Sequence, residues 1–443
     1  MLVRHFISAG KRGKTGAYLG GFPLKEEIMS DLNVQDVISD KVVEEVPEYL
    51  RRGYRWVILA VFCLINFACL FCTMSFGGMA TNIMEYYSIS TSTFSFMTTI
   101  GFLTGFIFCL PFGSLADRFG PKKVMVGAFI IVVIGCALRV VIADPSVALL
   151  SVSQFFMGFS FCAVNSTVVK VMGAWFDPNQ INFALGLYIG IASLGSALSM
   201  VSASIFSSLR SMLVGQLILM AACLLACFLL KNKPEGAPEQ PKDSFFKYLG
   251  QTLKYKEVWL AAIAYMFLYG GCTTGNAFIV AGMQDKGFDV LTSGLTGTSI
   301  SIFCGIGNIL IPAIISKMRS HRNTRKLLIV FGFLAAVSFA LAWYVPTGVF
   351  TFVFFNLGFF SIGVCLAQTK ALPAQIPRLP EQYLGTAGGF QACLQNLGAF
   401  VIPTYIVANI AGTNYGILFL IVAVVLALYA ISCIVLPKEV GMH

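Results

Sequence analysis

The long apolar runs of this chain hold few side chains able to bind or transfer anything, and those few define the chemistry open to it. Tyr265 and Tyr269 stand four apart, as do Gln391 and Gln395, so on a helix each pair presents one face. Asn66 and Asn356 lie in the middle of their runs. A buried amide without a partner costs about 1–3 kcal/mol. Each of these groups must therefore meet another helix, water or a bound solute, and bonding between helices is the plain alternative for all six. Three cations stand within or at the ends of the runs. Arg139, near the end of its run, is expected to snorkel to the interface. Lys170 and Lys370 read either as interface anchors or as a pair that draws in an anion. Arg139 joins them as a candidate for anion attraction. Neither Asp nor Glu falls inside a run, so no carboxylate proton relay is visible.

Catalysis finds no support. All thirteen cysteines lie within apolar runs and read as small packing residues. His5, His321 and His443 are scattered, so neither a metal site nor any other cofactor is expected. A phosphate-binding Gly-x-x-x-x-Gly-Lys-Ser/Thr loop is also missing from the sequence.

The elements that carry these groups follow from composition. Of 443 residues, 57% are hydrophobic and 11% charged, against about 25% charged in soluble domains. A membrane-spanning helix needs about 20 apolar residues, and such runs recur almost end to end. Backbone groups in hydrocarbon must be satisfied within their own segment, and no period-two alternation is present, so the runs are helices rather than barrel strands. Twelve are expected: 56–76, 93–112, 124–142, 147–169, 183–206, 211–230, 259–280, 296–315, 327–345, 349–368, 384–408 and 415–436. The fold class is an all-α membrane protein. Lys and Arg crowd the loops on one side, leaving only Arg210 and Lys286 on the other. The positive-inside rule then puts both termini in the cytoplasm, with the plasma membrane as the expected location. The net charge of +10 is accounted for by topology, so no nucleic-acid partner is expected. Residues 1–55 form a polar N-terminal segment without a signal peptide, and Met29 reads as a second start that would leave residues 1–28 outside the product.

The second half echoes the first. Trp56 and Trp259, Gly158-Phe159 and Gly358-Phe359, Lys170 and Lys370, and Leu194-Gly195 and Leu397-Gly398 recur in order at a spacing of 200 to 203. The expected domains are a six-helix bundle over 56–230, a cytoplasmic linker over 231–258, a second bundle over 259–436 and a tail over 437–443. The linker carries Pro234, Pro238 and Pro241, and its end from Phe245 reads as a short amphipathic helix on the inner membrane surface. Gly270-Gly271 marks an expected break in the seventh helix.

Between the second and third runs stands Gly113-Ser-Leu-Ala-Asp117-Arg118-Phe-Gly120-Pro-Lys122-Lys123. This turn resembles the signature loop between helices 2 and 3 of the major facilitator superfamily. The resemblance spans about residues 56–436 and implies two pseudo-symmetric bundles of six helices, with the solute bound near the midplane between them. It implies that helices 1, 4, 7 and 10 line the cavity, and that Asp117 meets the start of helix 11 in the outward-facing state. Gly113 is read as permitting close helix approach, Gly120 as permitting the tight turn, and Arg118, Lys122 and Lys123 as holding the loop inside. The second copy, Ser316 to Arg322, keeps the positive charge but loses the Asp and Gly.

The segment Gly173-Ala-Trp-Phe176 through Tyr188 resembles nitrate, cyanate and organic-anion transporters and the lysosomal dipeptide branch. Those branches often carry an Arg in helix 5, where this chain has Ser193; the Gly-Pro pair of many drug antiporters is also missing there. The resemblance implies a secondary active or facilitative transporter, working by alternating access on a small polar organic solute, anions included. It implies no enzyme activity. Expected partners are the solute and the lipid bilayer, and a monomer is expected. A solute sensor that binds without transport is the alternative reading.

Overall fold

The computed structural model describes residues 53–142, 145–176, 178–234, 245–317, 324–376, 379–380 and 383–437, together with the short antiparallel pairing of Tyr18–Leu19 with Phe22–Pro23. Twelve long helices follow one another: α1 (Tyr54–Gly78), α2 (Thr91–Phe119), α3 (Pro121–Val141), α4 (Val147–Trp175), α5 (Pro178–Ser199), α6 (Leu209–Phe228), α7 (Lys256–Asp285), α8 (Val290–Lys317), α9 (Thr324–Tyr344), α10 (Val349–Lys370), α11 (Leu384–Val401) and α12 (Tyr415–Val435). Eleven spans meet the length and hydropathy needed to cross a membrane, and the described residues of α5 add a shorter apolar stretch, Leu187–Ser199. The protein is a multi-pass helical membrane protein.

Several helices outrun their apolar stretches. α7 begins at Lys256 and ends at Asp285, and α2 continues through Asp117 and Arg118 to Phe119. The charged turn after the second run is thus largely the last turn of a helix. Hydropathy sees only the hydrocarbon-facing part of a rod, while helical hydrogen bonding continues into the polar zone. Gly120, at φ +87°, is the turn itself, and Pro121 opens α3 at once.

Of the long helices that start on the side away from the linker, the far side, all but α10, which follows Gly348, are capped by side chains. Ser90, Ser146, Ser208 and Asn414 each accept a hydrogen bond from a backbone N–H in the first turn of α2, α4, α6 and α12. Asp289 does the same for α8 through Thr292 N at 3.1 Å, and hydrogen bonding to the Thr292 hydroxyl and backbone N–H holds its exposed carboxyl below the usual carboxylate range.

The pairing of helices repeats in the two halves: α1 with α5 and α7 with α11, α2 with α4 and α8 with α10, α3 with α6 and α9 with α12. Two glycines make the symmetry visible at atomic level. A Cβ on Gly195 of α5 would lie 2.4 Å from the Phe67 carbonyl oxygen of α1, and one on Gly398 of α11 would lie 2.3 Å from the Met266 carbonyl oxygen of α7. Backbone meets backbone at matching points.

Two expectations need correction. Gly113 has open space where a Cβ would stand, so it permits no close helix approach. Gly270-Gly271 does not break α7, which runs unbroken; Gly270 seats Ile402 and the Gly398 carbonyl, and Gly271 seats Leu426. These glycines serve packing, because neighbouring helices fill the missing side-chain volume. The irregularity lies in the eleventh segment instead, which leaves α11 at Val401 and turns to π-helix over Ile402–Val407. Pro403 lacks the N–H that an α-helix needs there.

Candidate functional site

The two halves close on one another at the far side. Ser92 of α2 donates to Asn409 Oδ1 at 2.5 Å, the Thr99 and Thr404 hydroxyls are 2.7 Å apart, and Ser95 stands 3.4 Å from Thr404. On the opposite flank Thr298 of α8 donates to the Ala197 carbonyl of α5 at 2.9 Å, and Ser196 meets Ser301 at 3.4 Å. Gly294 and Gly297 of α8 leave room for Met200, and Gly77 of α1 abuts the Asn276–Ala277 backbone of α7. Phe94 and Phe278 meet edge to face at 5.8 Å. The apolar core of the second half accordingly continues through Phe94, Met97 and Met200 into the far end of the first, whereas the rest of the first half has its own core.

This closure was not foreseen from the sequence. Its polar members are Ser and Thr, common in membrane helices. Only Pro403, beside Thr404, gave a local signal.

Beneath the closure lies an aromatic patch built from both halves. Phe102 of α2 packs against Phe161 of α4, 6.0 Å between ring centres, and against Tyr269 of α7 at 6.3 Å. Tyr265, one turn away from Tyr269, is nearly buried, with ring centres 6.0 Å apart. Gln395 of α11 is half-buried and faces the Tyr269 hydroxyl. The next residue, Asn396, fills the space over Gly105 of α2.

The other sequence candidates are placed elsewhere. Gln391 is buried and donates to the Thr369 carbonyl at 2.8 Å, tying α11 to the end of α10. Asn66 donates to the Tyr188 carbonyl of α5 at 3.3 Å. Asn356 donates to Phe352 in its own helix, while its Oδ1 is buried with no partner. Lys370 is solvent-exposed at the end of α10. Lys170 is half-buried, inside α4 rather than at its end.

Asp117 ends α2, but its side chain lies outside the described residues, as does the degraded loop copy beyond Lys317. Lys122 is bound firmly: Nζ donates to the Phe228 carbonyl at 2.7 Å and its N–H to Asn232 Oδ1 at 2.8 Å. Arg118 and Lys123 are exposed at the helix end and the start of α3.

Arg139 corrects the expectation of snorkelling. It is 1% exposed and points into the first bundle, where Nη2 donates to Gln216 Oε1 of α6 at 2.5 Å and the guanidinium stands over the Phe76 ring of α1. Gln216 in turn donates to the Cys72 carbonyl at 3.2 Å. A polar partner inside the bundle offers the hydrogen bond that the interface would otherwise supply.

A sequence model of the Major Facilitator Superfamily matches residues 61–403. The probable nitrate transporter NarT of Staphylococcus haemolyticus is 23% identical, covering 79% of this chain and 90% of its own length. A lysosomal dipeptide transporter of Danio rerio is 22% identical over 88% of this chain and 89% of its own. Among solved structures, a bacterial homologue of the human lysosomal transporter Spinster, in an inward-facing and occupied conformation, overlays with a TM-score of 0.69 at 13% identity, covering 87% of this chain and 97% of that one.

Proposed function

Because the chain belongs to the Major Facilitator Superfamily, a family of membrane transporters, we propose that it carries a small organic anion by alternating access between residues 56–230 and 259–436. The solute sits below the far-side closure, against Tyr269 and Gln395. One observation carries the choice of an anion. Lys370 is exposed at the end of α10, and no Asp or Glu lies within the apolar runs to oppose it. An exposed cation in a cleft with low-dielectric walls raises the local concentration of anions.

In this reading the far side faces outward, both termini face the cytoplasm, and the described conformation is closed to the outside. Relatives named for nitrate and for dipeptides support a polar solute with ionised groups. Asp117 biases the two states from the end of α2 and does not touch solute.

The test is uptake into proteoliposomes of radiolabelled organic anions, amino acids and peptides, with and without a pH gradient. Saturable uptake of an anion is expected, with Lys370→Gln raising KM several-fold while expression holds. Binding without any uptake across the panel would favour a sensor, and uptake confined to cations would overturn the anion assignment.

A further inference from the structure

A cavity lies within the first half, at its far side. It encloses about 480 Å³ between the end of α1 and the helix Ala80–Tyr87, the end of α3, and the turn leading into α6. Asn82, Ser207 and Arg210 bring polar groups to its wall, Ile83 and Phe206 bring apolar surface, and Arg139 lines it from below. No carboxylate of a described residue is on that wall.

Arg139 is the feature that points to a ligand. Its Nη2 is committed to Gln216 and Cys136, but Nε and Nη1 are buried without an acceptor, and among the described residues no carboxylate pairs with it. The Phe76 ring below offers partial compensation. A buried cation left with unfilled donors is costly, and an anion bound beside it removes that cost. Guanidinium hydrogen bonds to carboxylate or phosphate are among the strong ones. We propose that this cavity binds an anionic head group, carboxylate or phosphate, borne on a short apolar tail that lies along the Ile83 and Phe206 wall. No described residue of the second half contributes to the cavity. The site is therefore separate from the cleft between the halves and does not rest on the identity of the transported solute.

The head group can come from a soluble organic acid or from a membrane lipid, and two arms separate the sources. In the first, the full-length protein in a neutral maltoside detergent is titrated with hexanoate or hexyl phosphate, with hexyltrimethylammonium as the cationic control, and thermal unfolding is followed. In the second, the protein is reconstituted into nanodiscs of phosphatidylcholine with or without phosphatidylglycerol. The anionic probe in at least one arm should raise the Tm of the wild type. Arg139→Gln should weaken that response about tenfold or more in concentration. Ala203→Trp, which keeps Arg139 and fills the cavity, should remove it, so the result does not hang on one variant's folding. Arg139→Lys should keep a weaker response, since a point charge replaces the planar donor group. A wild type indifferent to both anionic probes overturns the proposal. So does a response shared equally by the ammonium control, or one unchanged in both Arg139→Gln and Ala203→Trp.

Discussion

One basic side chain at the far side of each half, Lys286 in the second and Arg139 in the first, is treated in opposite ways. Lys286, just past the end of α7, has only donors, and the structure supplies three acceptors: the Ala342 and Val345 carbonyls at 3.1 and 3.0 Å and the Thr351 hydroxyl at 3.2 Å. The Trp343 ring lies 5.4 Å away. Partial burial lowers its pKa from the ordinary lysine value, and the acceptors compensate for the lost water. Arg139 is more deeply buried and has more donors, yet two of its three guanidinium nitrogens lack an acceptor. A cation whose donors are all used fastens the ends of α9 and α10 to α7. A cation with donors to spare retains capacity for something else. The contrast shows that the same charge, on the same side of the membrane, serves cohesion in one half and leaves a vacancy in the other.

The comparison can be broken by mutation. Lys286→Met strands two carbonyls and a hydroxyl, and should cost about 2 kcal/mol of stability, read as a lower Tm in detergent. An unchanged Tm would mean that the three contacts are idle. Asp117→Asn moves the test to the linker side, where in the proposed reading a charge acts on the balance between states rather than on cohesion. Turnover should fall about tenfold, or ~1.4 kcal/mol, with KM within a few-fold; wild-type turnover would remove Asp117 from gating. Thr404→Val takes one polar contact from the far-side closure and should shift the two states by about 1 kcal/mol. Thiol labelling of a cysteine placed at Ser92 would report this as faster modification from outside. The smallest effect belongs to Arg139→Met combined with Gln216→Leu. Replacing an unsatisfied buried network by apolar groups of similar volume should leave stability within ~0.5 kcal/mol of wild type or raise it. A loss as large as that of Lys286→Met would erase the distinction between the halves.

The sequence made the fold legible because hydrocarbon forces a one-dimensional code: a run of about 20 apolar residues is a helix. The repeat was legible for a related reason, since Gly195 and Gly398 sit where backbones touch and no larger residue fits. The site was less legible. Tyr269 and Gln395 do face each other, but Gln391, one turn from Gln395, bonds within its own half. A spacing of four fixes a shared helix face without saying how far each residue stands from the neighbouring helices. Arg139 was misjudged because Gln216 and Phe76, which hold it inside, come from helices distant in sequence.

One irregularity occurs twice. α5 ends at Ser199 and resumes as the short helix Ser202–Ile205, and the eleventh segment turns to π-helix at Ile402–Val407, the corresponding place in the other half. Met200 at the first departure packs against Gly297 of the opposite half, and Thr404 in the second bonds to Thr99 of the opposite half. A rod with full α-helical bonding resists bending, and one with displaced or missing bonds yields. The protein has stiff levers over most of their length and compliant tips where they latch. Under the proposed alternating access, such a latch would release by flexing a single turn, leaving the backbone-to-backbone seams at Gly195 and Gly398 intact as the halves part.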